Sequence, residues 1–265
     1  MIRFNVFPGG KKRCVTFSYD DGCDNDARLI ALLNKYGMKG TFHLCGISYR
    51  DYSDEQLKEV GKIYEGHEIS SHTYSHCYPS LMPGQSVVRE IMEDRFILEK
   101  IAGYPIKGLS YPSGSCSDAV AQIMHDCGLY YGRTTKSTRD FLMPRNFMLW
   151  NPTCHHRDAP ELAEKYIAQI DSFLTWPLFY IWGHSREFET EEQWMEFENM
   201  LKQLSQTDKI WYATNADIVR YTQAQNMLEI TADESVIYNP TALSVWVEKD
   251  KKQIVEIPAG QTITL

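Results

Sequence analysis

Four short segments carry residue types that can do chemistry, and each closes an apolar run. Ser18-Tyr19-Asp20-Asp21-Gly22 places two adjacent carboxylates at the end of the first run. Neighbouring residues of a strand point to opposite faces, so one carboxylate can hold a metal while the other moves protons, and Gly22 permits the tight turn that must follow. The structural alternative is an Asp-rich turn capping the next helix. His72-Thr73-Tyr74-Ser75-His76 follows a run ending at Ser70. Histidines four apart lie on one face of a helical turn and can share one ion. Ser110-Tyr111-Pro112-Ser113-Gly114 enters a Pro-Gly loop, and Trp182-Gly183-His184 ends a further apolar run on a histidine. Each segment alone has an ordinary explanation as a turn, a surface pair or a buried histidine. Together they supply one carboxylate and two imidazoles, three ligands that leave a position open, which is the catalytic rather than the structural pattern. A second carboxylate and a third histidine remain to act as base and acid.

The elements that must position these residues show as short apolar runs alternating with longer amphipathic ones. Strands are expected at 13–18, 40–45, 67–70, 106–111, 129–134, 147–151, 178–182 and 209–213. Helices are expected at 26–36, 54–64 with Ser53 as N-cap, 86–101, 117–127, 161–173, 191–204 and 216–225. That alternation implies βα units around a parallel sheet, an α/β fold whose functional groups gather where strands end. From about residue 227 the helical period vanishes. Short strands at 228–231, 235–238, 243–247, 253–257 and 262–265 predict an antiparallel β appendage over 227–265, after a catalytic domain over 1–226.

The 265 residues carry 43% hydrophobic and 23% charged side chains and a formal net charge of −8. That balance argues against a nucleic-acid partner, which needs clustered Lys and Arg. Lys11-Lys12-Arg13, the one compact basic run, reads as a solvated strand entrance. Nothing approaches the roughly 18 apolar residues of a membrane span, and the first residues lack the apolar core of a signal peptide. Seven cysteines without a Cys-x-x-Cys pair fit reduced thiols. A cytoplasmic location, no membrane partner and no nucleic acid are therefore expected; oligomeric state is not legible.

The four segments, in this order, resemble the polysaccharide deacetylase family, also called the NodB-homology or chitin-deacetylase-like family. Thr16-Phe17-Ser18-Tyr19-Asp20-Asp21-Gly22 is similar to its Thr-Phe-Asp-Asp-Gly motif with two residues inserted. Residues 72–76 match its His-Ser/Thr-x-x-His motif, and Trp182-Gly183-His184 is similar to its Leu-x-His motif. The resemblance implies a distorted, incomplete (β/α) barrel of about seven parallel strands and a divalent ion, zinc or cobalt. Carried over residue by residue, Asp21, His72 and His76 resemble the metal ligands, Asp20 the catalytic base and His184 the catalytic acid. The implied activity is hydrolytic removal of an acetyl group from an acetylated sugar, with a backbone N–H such as that of Ser113 steadying the oxyanion. Tyr111, Ser113, Trp150 and Trp182 are expected to line the substrate.

Two departures stand out. The family's third motif begins with an arginine that holds the base, where this chain has Ser110. Arg133, at the end of the next strand, is expected to supply that cation to Asp20, since neighbouring strands lie only about 4.8 Å apart. The family's fourth-motif aspartate, which supports the catalytic histidine, has no counterpart; Asp140, Asp158 and Asp171 are candidates. His155 and His156 can line the substrate site, while His43 and His125 read as structural. The alternatives are an amidohydrolase acting on a small non-carbohydrate amide and a non-catalytic carbohydrate-binding protein.

Overall fold

Eight consecutive buried residues from Arg13 to Asp20 mark a strand covered on both faces, the environment of a parallel sheet. The computed structural model describes residues 1–170 and 177–265. After β1 (Ile2–Arg3), the sheet strands are β2 (Arg13–Asp20), β3 (Gly40–Leu44), β4 (Glu68–Ser71), β5 (Gly108–Ser110), β6 (Tyr131–Arg133), β7 (Cys154–His155), β8 (Leu178–Gly183) and β9 (Ile210–Tyr212). Between them run α1 (Asn25–Lys35), α2 (Asp54–Ile63), α3 (Gly84–Ala102), α4 (Asp118–Asp126), α5 (Ala159–Ala168) and α6 (Glu191–Leu204), and α7 (Asn215–Asn226) follows β9. The strand order is β6-β5-β4-β3-β2-β8-β7, all parallel, with β9 pairing the first residues of β2. A parallel bridge between Arg133 and Trp150 curls the two ends of this sheet together, giving the expected distorted barrel.

Two expectations need correction. The strand expected at 147–151 is a short 3-10 turn, Phe147–Leu149, started by Asn146, whose side chain accepts from Met148 N at 2.9 Å. Pro152 then has no N–H to extend a ladder, and pairing resumes only at β7. Arg13 is not solvated: it is buried and donates to the carbonyl of Gln169 at 2.7 Å. The last residues of the helix expected at 161–173, and Asp171 with them, lie outside the described residues.

The C-terminal strands β10 (Glu229–Ile230), β11 (Val236–Tyr238), β12 (Val245–Lys249), β13 (Gln253–Ile257) and β14 (Thr262–Thr264) form two antiparallel three-stranded sheets. One of them takes in β1, with Ile2 opposite Lys249. No helix among the described residues is long and apolar enough to cross a membrane, and all seven cysteines are unpaired.

Alternation along β2 sorts its residues. Val15, Phe17 and Tyr19 join the main apolar cluster with residues such as Leu29, Leu33, Phe197 and Leu201 of the flanking helices. Thr16, Ser18 and Asp20 face the other way and enter a network of buried polar groups. Thr16 donates to Asn215 Oδ1 at 3.0 Å, Ser18 Oγ meets His43 Nε2 at 2.9 Å, and Asn215 donates to Tyr180 OH at 2.5 Å. At the lower end Glu68 accepts from Tyr131 OH (2.8 Å), Thr41 (2.9 Å) and the N–H of Ala216 in the first turn of α7 (2.8 Å). The stretch of the barrel lumen from Glu68 to Asp20 is therefore rich in hydrogen-bonded polar groups.

Burial raises the Glu68 carboxyl from 4.5 to about 7, against its three donors. Between those values the folded chain keeps a proton that the unfolded chain has lost, so this group makes folding less favourable as pH rises through the window. Glu68→Gln should lack that dependence. Its stability relative to wild type should improve by up to about 1.4 kcal/mol per pH unit across the window. Urea unfolding of both proteins at several pH values tests this, and a constant gap refutes it.

Candidate active site

The chemistry-bearing residues collect at the carboxyl ends of β2, β4, β5, β6 and β8. At the end of β2 the backbone turns left-handed, with φ +76° at Asp21 and +64° at Gly22. A side chain at Gly22 would strain this turn and bring its Cβ to 2.7 Å from Leu44. The turn separates the two carboxylates: Asp20 is buried in the lumen, while Asp21 sits half-buried at the mouth.

His72 and His76 do meet, with ring centroids 4.9 Å apart, but not on a helical turn. Residues 72–76 form a loop with positive φ at Thr73 (+63°) and His76 (+55°). Helix α3 grips it from outside: Glu90 accepts the N–H and the hydroxyl of Ser75, each at 2.8 Å, and Asp94 accepts from Ser71 Oγ and, at 2.5 Å, from Gly46 N. These bonds hold backbone conformations that non-glycine residues resist.

Asp21 Oδ1 lies 3.4 Å from His72 Nε2 and 3.6 Å from His76 Nε2, and the three donor atoms fall within 4.8 Å of one another. His72 Nδ1 faces the carbonyl of Ser110 at 2.8 Å, which puts its proton on that nitrogen and leaves Nε2 free as a ligand. One carboxylate oxygen and two imidazole nitrogens so disposed fit a divalent ion.

Below this set Arg133 donates from Nη2 to both Asp20 oxygens, both residues being buried. It reaches there because Arg133 is the register partner of Ser110 on the adjacent strand. Ser110 Oγ adds a hydrogen bond to Asp20 Oδ1 at 2.9 Å. Burial alone would raise the Asp20 carboxyl; Arg133, His72 and His43 beside it more than offset that and hold it well below the usual carboxylate range. The ring nitrogens of His43 lie against Ser18 Oγ and the Ser71 carbonyl.

Across the mouth, His184 Nε2 stands 3.7 Å from Asp21 Oδ2. Its other nitrogen, Nδ1, lies 3.2 Å from Glu187 Oε1. Neither of the two described aspartates expected to support it does so: Asp140 is exposed and Asp158 pairs with Arg139 at 3.5 Å; Asp171 lies outside the described residues. Glu187 was missed, although a carboxylate three residues beyond a strand-end histidine was a readable signal. Arg186, which pairs with Asp21 Oδ2, was missed too.

Two of the expected substrate residues are not available. Trp150 is 1% exposed, packed against Tyr131, Phe147 and Tyr180, because its segment bridges the sheet ends. Tyr111 is fully buried and donates to the Met148 carbonyl at 2.7 Å. Ser113 is exposed with φ +51°, and Trp182 is half-buried with its ring 4.6 Å from the Arg133 guanidinium.

Residues 8–132 match the polysaccharide deacetylase family model. That match takes in just under half of the chain. A peptidoglycan-N-acetylglucosamine deacetylase of Bacillus cereus is 31% identical over 115 residues, 43% of this chain and 40% of that protein. The chain spans about half the length of the curated relatives it matches. A solved Mycobacterium smegmatis structure, described as a candidate polysaccharide deacetylase, superposes with a TM-score of 0.63 at 16% identity, covering 83% of this chain and 93% of that one. A family 4 acetyl xylan esterase of Clostridium thermocellum, solved with a cobalt ion, gives 0.52 at 18% identity, covering 80% and 92%. At such identities these structures show the shared fold. The polysaccharide deacetylase match ends at Gly132, so Arg133, His184 and Glu187 all lie beyond it.

Proposed function

We propose that this chain hydrolyses the acetyl group of an N- or O-acetylated sugar, oligosaccharide or glycoconjugate, with a divalent ion (zinc or cobalt) held by Asp21, His72 and His76. The observation that carries this reading is the convergence of those three donors beside a buried carboxylate–arginine pair, with a histidine across the mouth. When bound, such an ion supplies Lewis acidity toward the acetyl carbonyl and toward an attacking water.

The chain's own groups do the rest. Arg133 and Ser110 fix the Asp20 carboxylate, which takes the proton of the attacking water as its oxygen bonds to the acetyl carbon. The backbone N–H of Ser113, on its exposed left-handed turn, steadies the developing oxyanion. His184 delivers a proton from Nε2 to the departing amine or hydroxyl as the carbon–nitrogen or carbon–oxygen bond breaks, and acetate is released. Trp182 offers the sugar an apolar edge at the mouth.

The test is to load purified protein with zinc or cobalt, measure bound ion, and follow acetate release from N-acetylglucosamine oligomers, acetylated xylo-oligosaccharides and small aliphatic amides. Ion binding with acetate from the sugars supports the proposal. Ion binding with hydrolysis of the small amides alone favours an amidohydrolase, and neither signal favours a non-catalytic sugar-binding protein.

A further inference from the structure

Outside the Asp21 set, a second cluster of ligand-type side chains gathers around Glu187. Its Oε2 lies 2.9 Å from His155 Nε2 and 3.4 Å from His156 Nε2, and its Oε1 lies 3.2 Å from His184 Nδ1 and 3.7 Å from Arg157 Nη2. His155, His156 and Glu187 are close enough to hold an ion, so two readings compete: a second cation site, or a carboxylate held for the sake of His184.

The far nitrogens of the imidazoles decide between them. A metal-binding histidine hands its other N–H to an acceptor, as His72 does to the Ser110 carbonyl. His155 Nδ1 instead accepts the N–H of Arg157 at 3.4 Å, which leaves the proton on Nε2, facing Glu187. His156 is buried in a stack between Tyr19 and Phe188, and its Nδ1 lies against Gly183 without a hydrogen-bond partner. Gly183 is what leaves room for that ring, since a Cβ there would fall 2.1 Å from His156 Nδ1. The two Nε2 contacts are not aligned as hydrogen bonds, so the imidazoles act on the carboxylate through their dipoles and through contact, while Arg157 adds a positive charge on the open side.

We infer that Glu187 is the positioning residue of His184, and that His155 and His156 hold Glu187 in place. This rests on the proposed role of His184 as proton donor. With Nδ1–H engaged by Glu187, the imidazole is fixed in the orientation that aims Nε2 at the mouth, on the side of Asp21. The arrangement is built on rigid parts: His155 ends β7, Gly183 ends β8, and Ser185, between His184 and Glu187, is tied to Asp26 of α1.

The experiment compares wild type with Glu187→Gln, His155→Ala and His184→Asn, all loaded with zinc. Glu187→Gln should lower kcat by about 10²-fold, the scale of a lost or misplaced general acid, with KM and zinc stoichiometry unchanged. His155→Ala should act in the same direction but less, by about 10-fold. Imidazole 15N spectra should show His184 with a protonated Nδ1 in wild type and a mixture of tautomers in Glu187→Gln, a change that a loss of packing alone would not produce. If Glu187→Gln fails to fold, Glu187→Asp, one methylene shorter, should show the same tautomer mixing. Wild-type kcat and tautomer in a Glu187 variant while His184→Asn is inactive overturns this inference. So does a second zinc per chain that disappears in His155→Ala. An undiminished His184→Asn enzyme instead overturns the acid assignment on which the inference rests.

Discussion

His72→Ala should lose divalent-ion binding and acetate release together. A catalytic site of this kind has three protein ligands, and two cannot hold the ion at ordinary concentrations. Of the three proposed ligands, His72 is the most completely prepared for the task. It is buried, its Nδ1 is turned to the Ser110 carbonyl, and its backbone N–H is tied to Leu44 O at 2.9 Å. His76→Ala should have the same outcome by a different route, since His76 is solvent-facing and depends on the strained loop that Glu90 and Asp94 secure. Elemental analysis of the purified variants, alongside circular dichroism to confirm the fold, is the measurement. Full ion occupancy in both variants would sink the ligand assignment.

Asp20→Asn should keep the ion and lower turnover by roughly two to four orders of magnitude, the scale for removing a positioned base. The substitution is nearly isosteric and leaves Asp21 untouched, so occupancy by elemental analysis should match wild type. It also strands Arg133, which is fully buried, without its counter-charge. Breaking a buried pair from one side costs about 3–5 kcal/mol. A thermal melt must therefore accompany the kinetics, with rates taken well below the transition. Arg133→Ala leaves the complementary orphan, a buried carboxylate, and carries a folding cost of the same order. A cation reaching across the mouth from a solvated position would have cost little in stability; the burial of both partners makes Arg133 part of the fold as well as of the site. An Asp20→Asn enzyme that is either ion-free or fully active would require the roles of the two carboxylates to be exchanged.

Most of the helices and strands were legible because their periods are undisturbed. Glu191–Leu204 carries a capping box, Thr190 with Gln193, and its buried positions recur at helical spacing. The segment 147–155 was not legible because its aromatic residues satisfy a strand pattern while Asn146 and Pro152 impose a turn on either side. Composition cannot tell a single bridge, Arg133 with Trp150, from a ladder. The same limit explains Trp150 and Tyr111: an aromatic residue beside a motif looks like a sugar platform, and only the curl of the sheet shows that these two face inward. The reach of Arg133 to Asp20 was readable because strand spacing is fixed by the backbone hydrogen bond. The Glu187 contact was not, because a loop just past a strand obeys no period.

The polar lumen has a consequence for how such a site can change over generations. From Glu68 through Tyr131, Ser70, Asn215 and Tyr180, and from Ser18 and His43 up to Asp20 and Arg133, the inward side chains form closely spaced layers of donors and acceptors. In an apolar lumen each position could drift among residues of similar volume. Here a replacement at one layer strands a donor or acceptor in the next, and the penalty for an unpaired buried group is larger than the gain from any one bond. Viable histories therefore run through concerted exchanges between neighbours. Ser110 and Arg133 are direct register partners, so a cation carried at either position would serve a carboxylate at the same address.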